Sequence, residues 1–193
     1  MERENLKPRF EELISEKQIQ QKVKELAQEI YSDYKGKNLL LVGILKGSFV
    51  FMSDLLRELD ELGMDDVEVD FLVISSYKDK RTSSRDPKIL LDLHTNINDR
   101  EVLVVEDIID TGHSIDKLLE ILKTRTPASF EVCSLLSKPG NREVKNLPPV
   151  KYIGFEIEDV WVEGYGLDSS QRGRGRKNIV ARFEDQAASS FIS

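Results

Sequence analysis

Apolar positions along the chain fall into two rhythms. From Glu16 to Tyr31, the residues Ile19, Val23, Leu26, Ala27 and Ile30 recur at helical spacing, which predicts an amphipathic helix. Leu39 to Leu45, LLLVGIL, is a short unbroken apolar run, the mark of a strand covered on both faces. After the break Lys46-Gly47-Ser48, helical spacing returns at Met52, Leu55, Leu56, Leu59 and Leu62. It stops at Leu62-Gly63, where glycine is a good C-terminal signal. Val67 to Ser75 predicts a strand, and Ser76 to Pro87 is polar and aperiodic, a loop. Lys88 to Leu93 predicts a short strand and Glu101 to Asp107 a clear one. Ile115, Leu118, Leu119 and Leu122 mark a further helix, and Phe130 to Leu136 and Lys151 to Ile157 two more strands. Strands alternating with helices at this spacing imply right-handed crossovers, hence an α/β fold with a central, mostly parallel sheet flanked by helices. In such sheets ligands bind beyond the carboxyl ends of the strands.

Composition narrows the function classes. At 193 residues the chain can bury one real core, and 39% hydrophobic with 33% charged residues is neither a disordered nor a membrane profile. No apolar run approaches the ~18 residues needed to span a bilayer, and the start, MERENLKPRFEEL, lacks the apolar stretch of a signal peptide. A net charge of -7 argues against a nucleic-acid partner, whose binding face is usually basic. The single cysteine, Cys133, excludes an internal disulfide or a multi-cysteine metal site, and its setting VCSLL reads as a buried, inert thiol. A reducing cytoplasm fits all of this.

One stretch does not read as scaffold. In VLVVEDIIDTGHS, Val102 to Ser114, a greasy strand ends in Glu106 and Asp107, followed by Asp110 and a small hydroxyl turn, with no Lys or Arg among them. Asp110 to Ser114 carries a strand into a helix. There Gly112 lets the backbone come close, Thr111 and Ser114 add hydroxyls, and free amides with the helix dipole favour an anion such as phosphate. The plain alternative is helix capping by Ser114 or Asp110. Glu106 and Asp107 are acceptor-only groups suited to a diol, or else solvated loop acids, or a divalent-cation site. Phosphate donors and diol acceptors along one loop match a 5-phosphoribosyl group.

VLVVEDIIDTGHS resembles the phosphoribosyl-pyrophosphate motif of type I phosphoribosyltransferases, and EDIIDTG the form found in hypoxanthine-guanine phosphoribosyltransferases. The resemblance runs from about Leu39 to about Arg174. LLLVGILKGSFVF resembles the pyrophosphate-binding segment, ISSY (Ile74 to Tyr77) the start of a mobile active-site loop, and SLLSKPGNR (Ser134 to Arg142) the purine-reading lysine segment. YIGFEIEDVWVEGYGLD (Tyr152 to Asp168) resembles the purine-stacking and metal-binding segment. The resemblance implies one type I phosphoribosyltransferase domain over 1–193, with a core at about 37–140 and a small hood from about 1–15 and 150–193.

The same resemblance implies roles. Asp110 is the general base at purine N7. Glu106 and Asp107 meet the ribose hydroxyls and, with Asp168, Mg2+; Thr111, Gly112, His113 and Ser114 hold the phosphate, His113 by its backbone amide alone. Leu45, Lys46 and Gly47 present backbone amides to pyrophosphate across a peptide, Leu45–Lys46, that can be cis, and Arg142 and Arg174 approach the same group. Lys138 reads the exocyclic oxygen at carbon 6, Trp161 stacks on the purine and the Val162 backbone meets its 2-position. Ser76 and Tyr77 open the loop that closes over the site. Read alone, Lys46 is a surface lysine, Trp161 a core tryptophan, and His94 a surface histidine. The chain departs from the pattern after Asp168, where SSQRGRGRK stands in place of aromatics and Arg172 rivals Arg174. Implied partners are phosphoribosyl pyrophosphate and a 6-oxopurine, with no nucleic acid and no membrane, in a homodimer or homotetramer. The alternatives are a preference for xanthine and a non-enzymatic sensor of phosphoribosyl pyrophosphate. LVGILKGS does not fit the G-x-x-x-x-G-K-[ST] spacing, which argues against a triphosphate hydrolase.

Overall fold

The computed structural model describes residues 9–75, 88–145 and 147–183. Six strands form the main sheet: β2 (Leu39–Leu45), β3 (Glu68–Ser75), β4 (Lys88–Leu91), β5 (Glu101–Ile109), β6 (Ser129–Ser137) and β7 (Tyr152–Glu156), in the order β4-β3-β2-β5-β6-β7. All neighbours are parallel except β3 and β4. The unbroken apolar runs now have a cause. Leu39 and Leu41 of β2, with Leu103 and Val105 of β5, face helices α1 (Glu16–Tyr34) and α2 (Phe49–Glu61). Leu40, Val42, Val102 and Val104 face α3 (His113–Lys123). Helix α3 contributes Ile115, Leu118, Leu119 and Leu122 to that second core, at about 1.5–3 kcal/mol for each large side chain removed from water. Cys133 is fully buried between layers, and burial pushes its thiol pKa well above the usual range.

A second sheet of three strands, β1 (Arg9–Ile14), β9 (Ile179–Phe183) and β8 (Trp161–Glu163), is antiparallel and draws on both ends of the described chain. Its strands are absent from the hydrophobic pattern for physical reasons. Five of the six residues of β1 are exposed, so no alternation marks it, and β8 is only three residues long. Other boundaries also shift. Helix α1 continues to Tyr34, which it buries, and β4 stops at Leu91. Strand β5 continues past Asp107 to Ile109, held by pairing of Ile108 with Leu136 and Ile109 with Ser137. Glu106 and Asp107 are therefore strand residues, as their pattern predicts, and lie before the strand's end rather than at it. No helix among the described residues is long and apolar enough to cross a membrane.

Candidate active site

The carboxyl ends of β2, β5 and β6 lie side by side and lead into Lys46-Gly47, Asp110–Ser114 and Lys138–Arg142. Glu106 and Asp107 form the floor between them. Both residues border solvent, but their carboxyls are closely surrounded by protein. The Glu106 Oε2 atom is inaccessible and has no hydrogen-bond partner among the described residues. Burial, then the neighbouring Asp107 carboxyl, pushes Glu106 well above the usual carboxylate range. Burial also raises Asp107, against the pull of Glu106, the Ile108 amide at 2.9 Å and the Arg174 charge. Gly47 covers Asp107 so closely that a Cβ there would lie 1.7 Å from Oδ2. The Leu45–Lys46 peptide is cis.

The turn after β5 starts α3. Gly112 is the N-cap residue with φ 91°, a left-handed conformation that glycine adopts without steric cost, and no side chain caps the helix. Capping by Ser114 or Asp110 therefore does not explain this turn. The Thr111 carbonyl accepts from the Glu143 and Val144 amides at 3.0 and 3.3 Å, which ties the turn to the chain after β6. His113 is the first helical residue, and its ring turns to Glu143, Nε2 to Oε2 3.0 Å. Arg142 spends both terminal nitrogens on the same support. One donates to the Asp110 carbonyl and the other to Ser137 Oγ at 2.9 Å.

Lys138 is 6% exposed. Its Nζ lies 3.4 Å from Asp159 Oδ1 and 4.0 Å from Asp110 Oδ2, and its backbone amide donates to the Ile109 carbonyl. Asp110 Oδ1 accepts from Asn141 Nδ2 at 3.0 Å. Trp161 is 47% exposed, a position unlike that of a core tryptophan, while Val162 beside it is buried and paired with Ala181. His94 is exposed.

The segment after β8 folds back over the Gly47 loop, and a Cβ on Gly166 would fall 2.1 Å from the Gly47 carbonyl. Asp168 Oδ1 accepts from Arg174 Nη2 at 2.6 Å and Oδ2 from the Gln171 amide at 2.7 Å. Arg174 also donates to the Gly166 carbonyl at 2.7 Å. Gln171 Oε1 accepts from both Lys46 and Arg174, at 3.4 and 3.3 Å. Arg174 is thus the arginine built into this corner, whereas Arg172 is exposed. Among the described residues no three His, Cys, Asp or Glu side chains gather closely enough to cage a metal ion. Glu106 and Asp107 sit together, and Asp168 is held in its ion pair with Arg174.

Residues 10–170 match the model of the phosphoribosyl transferase domain family. The chain belongs to this family. It is 46% identical over 171 residues to the hypoxanthine phosphoribosyltransferase of Escherichia coli, covering 88% of this chain and 93% of that protein. It is 46% identical over 165 residues to the hypoxanthine-guanine phosphoribosyltransferase of Dictyostelium discoideum, covering 85% and 90%. A crystal structure of a hypoxanthine-guanine phosphoribosyltransferase from Bacillus anthracis superposes with TM-score 0.79 at 38% identity, over 90% of this chain and 99% of that one.

Within this phosphoribosyl transferase domain, Leu45, Lys46, Gly47, Glu106, Asp107, Asp110, Thr111, Gly112, His113, Ser114 and Lys138 all lie at the carboxyl edge of the main sheet. Arg174 falls beyond the family match, so its place rests on the Asp168 ion pair. Ser76 and Tyr77 lie outside the described residues. Three neighbours of the candidate groups were not visible in the sequence. Asn141, Asp159 and Gln171 carry no motif of their own, and only folding brings them to Asp110, Lys138 and Lys46.

Proposed function

We propose that this chain transfers the 5-phosphoribosyl group of phosphoribosyl pyrophosphate to hypoxanthine or guanine, giving the nucleoside monophosphate and pyrophosphate. One observation carries the reading: a single strand-turn-helix, β5 to α3, brings together the enclosed carboxyls of Glu106 and Asp107, the acid Asp110 and a helix start that no side chain caps, with the buried ammonium of Lys138 4.0 Å from Asp110. The bond from ribose carbon 1 to pyrophosphate oxygen breaks as the bond from carbon 1 to purine nitrogen forms, through a sugar with oxocarbenium character. The leaving pyrophosphate takes the electron pair. Backbone amides of Leu45, Lys46 and Gly47 and the Arg174 charge face it, with Arg142 bracing the turn beneath. Glu106 and Asp107 accept from the ribose hydroxyls, and the amides and hydroxyls of Thr111 to Ser114 hold the 5-phosphate. Asp110 takes the proton at purine N7. Lys138 donates to the oxygen at carbon 6. Adenine presents a donor there, and a mispaired polar group is a strong basis for rejection. Trp161 stacks on the purine face and the Val162 carbonyl faces its 2-position.

The donor set suits magnesium, since every candidate atom is a carboxylate oxygen. The carboxylates are too dispersed to hold the ion without substrate oxygens, the usual arrangement for this metal. Glu106, Asp107 and Asp168 would hold it, and it would neutralise charge on the departing pyrophosphate. The single domain would work as a homodimer or homotetramer. Phe49, Val69 and Leu91 are large apolar side chains left 43–51% exposed by one chain alone. The test is Asp110→Asn. It should bind phosphoribosyl pyrophosphate as the parent does but lose about 10²- to 10⁴-fold in kcat with hypoxanthine. Unchanged kcat in that variant would remove Asp110 from the chemistry.

A further inference from the structure

The short helical turn Pro139–Asn141 stands directly after Lys138, between the lysine and the bracing Arg142. It is closed by the Asn141 amide donating to the Lys138 carbonyl at 3.1 Å. That closure fixes where the Asn141 side chain points. Its Nδ2 donates to Asp110 Oδ1 at 3.0 Å. The same side chain lies against the carboxylate of Asp159, whose pKa Asn141 lowers first and Lys138 second. Lys138 Nζ sits between these two acids, 3.4 Å from Asp159 and 4.0 Å from Asp110. Four groups thus form a ring in which a neutral amide and an ammonium alternate with two carboxylates.

The amide has chemical consequences that the ammonium cannot replace. An asparagine NH2 offers two hydrogens and no charge, so it can serve both acids at once. It occupies Oδ1 of Asp110 and leaves Oδ2, the oxygen turned toward Lys138, open to the substrate.

We propose that Asn141 is a positioning residue, setting the Asp110 carboxylate by one oxygen so that the other meets the purine. This rests on the reading of Asp110 as the proton acceptor. A general base must be held in hydrogen-bond reach of the proton it takes, so lost orientation appears in kcat more than in KM.

The test is a double-mutant cycle in the full chain, reading kcat and KM for hypoxanthine and phosphoribosyl pyrophosphate, with thermal midpoints alongside. Asn141→Ala should lower kcat about tenfold, the scale of one hydrogen bond to a charged group, with KM for phosphoribosyl pyrophosphate within about twofold of the parent. The near-isosteric Asn141→Asp keeps the shape and should be slower still, because it sets a third carboxylate in the ring. In an Asp110→Asn background, Asn141→Ala should cost nothing further, since the oriented group is already gone. Equal losses in both backgrounds, or an unchanged kcat in Asn141→Ala while Asp110→Asn is slow, would overturn the proposal alone. Full activity in Asp110→Asn would overturn it together with the assignment of Asp110.

Discussion

Lys138 is a buried ammonium whose neighbours are two carboxylates, Asp110 and Asp159. Removing it leaves both acids facing each other across an empty volume. Lys138→Ala should therefore reduce kcat/KM for hypoxanthine by about 10- to 100-fold, the loss expected for a hydrogen bond to a charged group. Its discrimination against adenine should shrink with it, as measured by the ratio of the two kcat/KM values. Gly47 gives a second prediction. A methyl group there cannot coexist with Asp107 Oδ2 at 1.7 Å, so Gly47→Ala must move the loop or the acid. A misplacement of about 1 Å can cost 10²-fold, and that loss should appear in steady-state turnover. At this scale the sequence was informative wherever a residue type is rare in its setting. Acids at the end of a greasy strand announce themselves, whereas Lys138 stood out only through the resemblance of its segment to the family. Asn141 and Asp159 do not, because a surface asparagine and a surface aspartate are ordinary until the fold joins them to Asp110 and Lys138.

Strands β2 and β5 are legible because burial on both faces keeps polar residues out of Leu39–Leu45 and Val102–Val105. In the small sheet, β1 carries no periodic signal because five of its six residues are exposed, and β8 and β9, at three and five residues, are too short to show one. The extension of β5 through Ile109 was also missed, since Glu106 and Asp107 look like a strand ending when they are paired strand. One carboxylate illustrates how the connections between elements are held. Asp70 on β3 accepts from the amides of Phe71, His94 and Thr95, the last two at 2.9 and 2.7 Å, and so ties the segment before β5 to the sheet. Burial alone would raise its pKa, but these donors outweigh it and lower the pKa below the ordinary value. The unfolded chain holds the proton more tightly, so Asp70 stabilises the fold above about pH 4 and loses that contribution as pH falls through the lowered value. Asp70→Asn should be less stable than the parent at neutral pH by about 1–3 kcal/mol. The gap should narrow toward pH 3 in urea titrations, and a gap that widened on acidification would contradict this account.

The whole molecule places the candidate groups of β2, β5 and β6 at one edge of the main sheet, with the β8–β9 segment folded over it through Gly166, Asp168 and Arg174. Ligand binding should then stabilise the global fold by mass action. Phosphoribosyl pyrophosphate at about 100 times its Kd adds about 2.7 kcal/mol, read as a rise in Tm, and chelating magnesium should abolish most of that rise. The α/β architecture followed from alternating strand and helix patterns, the candidate phosphoribosyl subsite from one strand-turn-helix, and the rest of the candidate site from the family resemblance. The covering segment is less readable, because only folding, which gives Arg174 its bonds to Asp168, Gly166 and Gln171, separates it from the exposed Arg172. The measurement that tests the central claim most directly is nucleotide formation from phosphoribosyl pyrophosphate and magnesium with hypoxanthine, guanine, xanthine, adenine and uracil in turn. The account predicts rapid turnover with hypoxanthine or guanine and little with adenine or uracil. Tight binding of phosphoribosyl pyrophosphate without turnover of any base would contradict it.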